Sequence, residues 1–296
     1  NMSTQSFLDA GIHYNVPASV YHSDPCLTPS LSSGAARTIL EKSLAAAHRE
    51  HARLGGKRKA TTEAMSTGSI VHSLLADNPQ DFEVGVFDNF RSKAAQSWRD
   101  LVIAAGRNAV LECDLDEARK IAASVRANVC NGGITNDPFA AHGKSEVTVI
   151  WKEGEAYCRA LLDRLVIDPN GYADIWDWKC TNDVTDRSIL RSVVKYGYHI
   201  QEAFYRRGLS VVLPSHVGRI SWTFVFVLDV EPYTVRRVCL TPEFLGAGKS
   251  EVNRAIALWQ RALVTNEWPD GSHDTLMLDA PGYLLSDDEI TASEAA

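Results

Sequence analysis

No two of the six cysteines (Cys26, Cys113, Cys130, Cys158, Cys180 and Cys239) form a Cys-x-x-Cys pair. That spacing argues against a zinc or iron–sulfur centre built on close cysteines, and reduced thiols in a cytoplasmic protein are the expectation. No apolar run approaches the ~20 residues of a membrane span. No basic-then-apolar leader precedes Asp9, so no secretory signal is expected; Asn1 before Met2 reads as a cloning remnant. Gly-rich phosphate loops of the Walker type and a Gly-x-Gly-x-x-Gly turn are missing, which argues against a nucleotide-driven or dinucleotide-dependent enzyme. No Gly-x-Ser-x-Gly elbow is present, so hydrolysis through an activated serine of that kind is not indicated.

The chain is otherwise ordinary for a globular protein, with 45% hydrophobic and 23% charged residues among 296. A net charge of -7 speaks at first sight against a nucleic-acid partner. Its distribution tempers this. Asp274, Asp279, Asp287, Asp288, Glu289 and Glu294 stand in 274–296 with no Lys or Arg, leaving about -1 for the rest. Lys42, Arg49, Arg53, Lys57, Arg58 and Lys59 cluster against only Glu41 and Glu50. Local basic clusters set a polyanion footprint, although a solvated helix face would look the same.

Apolar periodicity predicts helices from Ser33 to about His51, from about Ser66, over 92–105 and over 114–130. The period then changes. Segments 146–151, 156–167, 172–180, 219–228 and 233–240 read as strands, rich in β-branched and aromatic residues. A helix at about 186–208 interrupts them, and another from Thr241 to Asn266 closes the pattern. Helices first, then a mixed sheet with an inserted helix, is an α/β or α+β arrangement.

Chemistry concentrates in one hairpin. Asp168-Pro169-Asn170-Gly171 suits a type I turn followed by a left-handed glycine. Pairing Asp168 with Tyr172 brings Asp163 opposite Asp177, and strand alternation places Lys179 on the face of Asp177. Like charges directly opposite destabilise a sheet unless a cation lies between them. The flanking Leu161, Leu162, Leu165, Val166, Ile175, Trp176 and Trp178 are apolar, so an unpaired charge there would be costly. The pattern predicts a divalent-metal site for phosphate chemistry. Asp174, three residues from Asp177, falls on the other face.

Glu146, Asp163 and Asp177-Trp178-Lys179 stand in the order of the PD-(D/E)xK nuclease core, which the chain resembles. Gly68-Ser69-Ile70-Val71-His72 resembles the glycine-to-histidine helix of RecB-type nucleases, and Gln201 to Tyr205 resembles their Gln-x-x-x-Tyr helix. With Tyr21-His22-Ser23-Asp24-Pro25 and Glu267-Trp268-Pro269, the likeness is to the RecE (exonuclease VIII) family and its phage relatives, over residues 13–270. The resemblance implies a restriction-endonuclease-like core with a helical part at 30–130 and a catalytic sheet at 145–240. An irregular stretch, 1–12, would precede this domain and an acidic tail, 271–296, would follow it. Leu162 stands where the family's name-giving proline would be.

The same resemblance implies roles. Asp163 and Asp177 would hold Mg²⁺, with the Cys180 carbonyl completing the sphere and Mn²⁺ as a substitute better suited to a His72 ligand. Read without the family, His72 is a helix-face histidine bonded to a backbone carbonyl. Lys179 would orient water or stabilise the transition state. Glu146 would hold a second metal through water or merely cap its strand. Gln201 and Tyr205, on one helix face, would contact DNA, and Arg37 would receive a 5′-phosphate. The implied function is 5′→3′ digestion of duplex ends, leaving 3′ overhangs for recombination. A ring-shaped homo-oligomer and a single-strand annealing partner are implied too. An endonuclease or 3′→5′ nuclease on this fold, or a DNA-binding module that no longer turns over, remain the alternatives.

Overall fold

Seven strands form one mixed sheet in the computed structural model, which describes residues 7–56, 66–76, 82–132, 137–271, 275 and 277–280. The first part of the chain carries β1 (Gly11–His13), α1 (Ala18–His22), β2 (Leu31–Ser32), α2 (Ser33–Glu41), α3 (Leu44–Glu50) and α4 (Thr67–Leu75). Then come β3 (Phe82–Gly85), α5 (Lys93–Ala104), β4 (Asn108–Leu111) and α6 (Glu112–Asn128). The sheet proper follows as β5 (Lys144–Glu153), β6 (Ala156–Ile167) and β7 (Ala173–Thr181). It continues through α7 (Asp186–Lys195), α8 (Tyr198–Val212), β8 (Ile220–Leu228), β9 (Val235–Val238) and α9 (Pro242–Thr265). Strand order is β1-β5-β6-β7-β8-β9, with β2 parallel to β6, while β3 and β4 pair separately.

The turn at 168–171 sets the register. Asp168 Oδ1 accepts from the Asn170 and Tyr172 amides at 2.9 and 2.8 Å, and Gly171 takes φ 81°. Residue numbers across the β6–β7 ladder then add to 340, from Ile167–Ala173 to Arg164–Trp176. The ladder stops there, after four pairs. β7 runs on beside β8, whereas the edge of β6 vacated by β7 is taken further back by β2, at Cys158 and Arg159. Residues 160–163 of β6 therefore face an opening. The sheet forks.

Helices cover both faces, giving the α/β architecture that the change of period predicts. On one side Ile39, Phe204, Leu209, Ile256 and Trp259 pack on Val147, Leu162, Ile175 and Phe224. On the other Ile70, Leu75, Ile121 and Val125 meet Trp176, Trp178 and Val225. Each fully buried large side chain contributes about 1.5–3 kcal/mol, so these central strands anchor the fold. All six cysteines are free, and no helix among the described residues is long and apolar enough to cross a membrane.

Three expectations are corrected. The helix from Ser33 to His51 is two helices, because Ser43 leaves helical geometry and caps α3 by accepting from the Ala46 amide. The helix at 186–208 is also two, parted at Gly197 with φ 65°. The helical part at 30–130 contains β2, β3 and β4, each of two to four residues and too short to show a period. The run Lys57-Arg58-Lys59, residues 1–6 and every tail acid except Asp279 lie outside the described residues.

A buried polar knot ties the N-terminal segment to β6. Asp24 is fully buried at φ 67° and receives the Ser30 amide at 2.8 Å and the Ser30 hydroxyl at 2.7 Å. His51 and Arg159 each lie 3.2 Å from its carboxylate. Burial alone would raise this carboxyl, but His51, Arg159 and the two Ser30 donors outweigh it and hold its pKa at about 2, against an ordinary 3.8. A depressed carboxyl contributes stability above its unfolded pKa and loses it as pH falls through the folded one. The shift is worth about 2 kcal/mol, lost between about pH 4 and pH 2. Asp24→Asn should cost about 2–4 kcal/mol at neutral pH and flatten that acid limb in urea melts. An unchanged limb would contradict the knot.

Candidate active site at the fork of the sheet

Glu146, Asp163 and Asp177 lie on three adjacent strands at the fork. β5 and β6 pair in constant register on either side of Glu146 and Asp163, yet those two opposed residues leave the ladder, Glu146 with φ 51°. Alternation fails at the same step, since Leu162 and Leu165 both join the core beneath α8. The amide of Trp178 donates to Asp163 Oδ2 at 2.9 Å, a side-chain bond where the ladder has ended.

Two helices reach the fork from opposite faces. From α4, His72 Nδ1 stands 3.3 Å from Asp163 Oδ2. Gly68, one turn earlier, lies close to Cys180, where a Cβ would stand 3.7 Å from the cysteine Cβ. From α8, Gln201 Nε2 donates to Asp177 Oδ2 at 2.8 Å. Lys179 pairs with Asp177 Oδ1, and its ammonium lies 4.7 Å from the Tyr198 ring centroid. Asp177 is only 1% exposed. His22, His72, Glu146, Asp163, Lys179 and Cys180 help line an open cleft of about 500 Å³.

The acids are electrostatically unequal. Burial, reinforced by Asp163, pushes Glu146 up to about 7. Burial pushes Asp177 up to about 6, with Lys179 opposing and Asp163 reinforcing the rise. Burial would also raise Asp163, but His72 and Lys179 outweigh it and hold that carboxyl below its usual range. The same ion pairs raise His72 and Lys179 against the pull of burial. One carboxylate is thus ionised among protein cations, beside two that burial and the neighbouring Asp163 charge make reluctant to ionise.

This donor set suits a hard divalent cation. Among the described residues no three His, Cys, Asp or Glu side chains already form a metal-holding cluster. Mg²⁺ does not require one, because it uses one or two carboxylates and takes the rest from water and phosphate oxygens. Both oxygens of Asp177 have partners in the ion-free protein, Oδ1 the Lys179 ammonium and Oδ2 the Gln201 amide, so a cation held there would displace the lysine from Oδ1.

With this geometry in view, comparison with known proteins gives a family. A model described as a PDDEXK-like domain of unknown function, DUF3799, matches residues 37–280. The chain belongs to that family. No curated protein matches it. A crystal structure from Eubacterium rectale, described as a candidate exonuclease, superposes with a TM-score of 0.54 at 14% identity, over 95% of this chain and 99% of that one. At that identity the likeness concerns the fold. The structure of SSO0001 covers 57% of this chain and 68% of its own at a TM-score of 0.28 and 11% identity, too low to carry an argument.

Of the residues expected at the site, Asp163, Asp177, Lys179, Glu146, His72 and Gln201 converge on the fork, and Cys180 lines its cleft. Tyr205 does not face outward. It is 7% exposed, edge-on to Trp222 at 5.5 Å, with its hydroxyl 3.5 Å from Ser33 Oγ. It shares a helix face with Gln201 as the spacing requires, but that face turns into the core. Arg37 lines a second cleft of about 950 Å³, where it bonds the Tyr196 carbonyl at 2.9 Å and Glu41 at 3.2 Å. Tyr198, beside Lys179, was not singled out by spacing, although it opens the Gln201 helix. In the ion-free protein, carboxyl-carbon NMR should show titration steps near pH 7 and pH 6. Glu146→Gln should remove the first and Asp177→Asn the second; both groups titrating near 4 would contradict the crowding described above.

Proposed function

We propose that this PDDEXK-like chain is a Mg²⁺-dependent deoxyribonuclease that hydrolyses phosphodiester bonds from the ends of duplex DNA, with Mn²⁺ as a substitute. The observation that carries the reading is the fork itself. Carboxylates from β6 and β7 and the lysine two residues on meet between a histidine on α4 and a glutamine on α8. The described exonuclease assignment of the Eubacterium rectale protein supports the same direction.

Asp163 and Asp177 would hold the cation, with Glu146, His72 and the Cys180 carbonyl as further donors; a bound cation neutralises phosphate charge and acidifies a water. Lys179, set against the Tyr198 ring and half-buried beside Asp177, would place a fixed positive charge where the attacked phosphate becomes more negative. Gln201 occupies one oxygen of Asp177 and so fixes the carboxylate's orientation. Burial pushes Glu146 up to about 7 in the ion-free site, so a cation held by it would displace its proton. The RecE-type motifs favour 5′→3′ polarity. They also bring a ring-shaped homo-oligomer and an annealing partner into the proposal.

The test is digestion of linear duplex carrying a label at either end, with Mg²⁺ or with chelator. Release of 5′-labelled mononucleotide is expected, stopped by chelator and reduced by about 10²–10³ in Asp177→Ala and Lys179→Met. Prior release of the 3′ label would reverse the polarity, and nicking of a closed circle would make the enzyme an endonuclease. Binding without any cleavage would overturn the enzymatic reading.

A further inference from the structure

Helix α7 carries Arg187, Arg191 and Lys195 at steps of four, all exposed. Four residues advance about 6 Å along a helix, so the three cations form one row down a single side. Among the described residues none of them has a carboxylate partner. The acid that opens the helix, Asp186, pairs with Arg236 instead, and Asp183 turns back to the Thr185 amide. Such a row alone would be an ordinary solvated face. Its apolar content is not ordinary. Leu190 and Val194 stand 51% and 57% exposed between the cations, and Tyr196 is 44% exposed at the end of the row.

The row is connected to the fork. The Lys195 ammonium lies 5.2 Å from the Tyr196 ring centroid, and the Tyr196 and Tyr198 rings are 5.7 Å apart. Tyr198 in turn covers Lys179. Arg37 bonds the Tyr196 carbonyl from α2, which fixes the backbone at the turn between α7 and α8. Cations spaced like the phosphates of an extended strand, apolar side chains flanking them and an exposed Tyr196 ring joined to Lys179 through Tyr198 are what an unpaired strand would use. Bases stack on aromatic faces, and phosphates take the cations.

We propose that the outer face of α7, with Tyr196, binds a single strand of nucleic acid entering or leaving the fork. Arg187, Arg191 and Lys195 take successive phosphates and Tyr196 stacks one unpaired base. The nuclease reading supplies only the location, since binding can be measured without turnover. A duplex cannot offer a base to Tyr196 without opening, so the face discriminates between strand states.

The experiment is anisotropy of a labelled thymidine oligonucleotide, and of a blunt duplex of equal length, in chelator. Combining Arg187→Gln, Arg191→Gln and Lys195→Gln should weaken single-strand binding at least tenfold. It should also lower the slope of log K against log salt by about 2, at about 0.7 for each of three phosphates. Tyr196→Ala should weaken single-strand binding about tenfold, leave duplex binding within about twofold, and be rescued by Tyr196→Phe. All positions are exposed, so melting temperatures should stay within a few degrees of the parent. Unchanged single-strand affinity in both variants would overturn the proposal. So would equal losses for both strand states in Tyr196→Ala, or displacement by polyglutamate as readily as by unlabelled oligonucleotide. Cleavage lost in Asp177→Ala with this binding intact would show that the two readings stand separately.

Discussion

The site depends on the early parting of β6 and β7. Had their ladder continued past Arg164–Trp176, Asp163 and Asp177 would sit directly opposed within a closed sheet, two buried carboxylates with no room for a counter-charge. β2 occupies the same edge of β6 further back, at Cys158 and Arg159, so β7 cannot pair with β6 along its whole length. The buried Asp24–Arg159 ion pair, joined by His51 and Ser30, holds that inserted strand in place. The knot thus ties the N-terminal segment to the strand that carries Asp163.

Once the strands part, each side chain at the opening is held from a different direction. α4 supplies His72 from one face of the sheet, and α8 supplies Gln201 from the other. β7 contributes both a buried carboxylate and the lysine that partly neutralises it. The balance is incomplete: burial, reinforced by the Asp163 charge, keeps Glu146 and Asp177 protonated to unusually high pH, even with Lys179 beside Asp177. Buried carboxylates with raised pKa values beside a cleft mark a candidate functional site.

Much of this was legible in the residues. Asp168-Pro169-Asn170-Gly171 encodes its turn through local hydrogen bonds, so the register of β6 on β7 follows from four residues. Strand alternation, a local rule, put Asp177 and Lys179 on one face, but the pairing of Asp163 with Asp177 expected from the turn is not made, because the ladder ends at Arg164–Trp176. The fork was not legible: β2 has two residues, and pairing so short leaves no pattern. Nor was the inward turn of Tyr205, since helical spacing says which residues share a face but not what that face meets. Asp24 stood in a quoted motif, yet its partners His51 and Arg159 come from distant segments that only the folded chain assembles.

The most direct test of the central claim is an anomalous difference map from crystals of the chain grown with Mn²⁺. A peak at the fork with oxygens of Asp163 and Asp177 as ligands, and the Lys179 ammonium drawn away from Asp177, is the predicted result. Manganese bound elsewhere, with the Lys179–Asp177 pair intact, would contradict it.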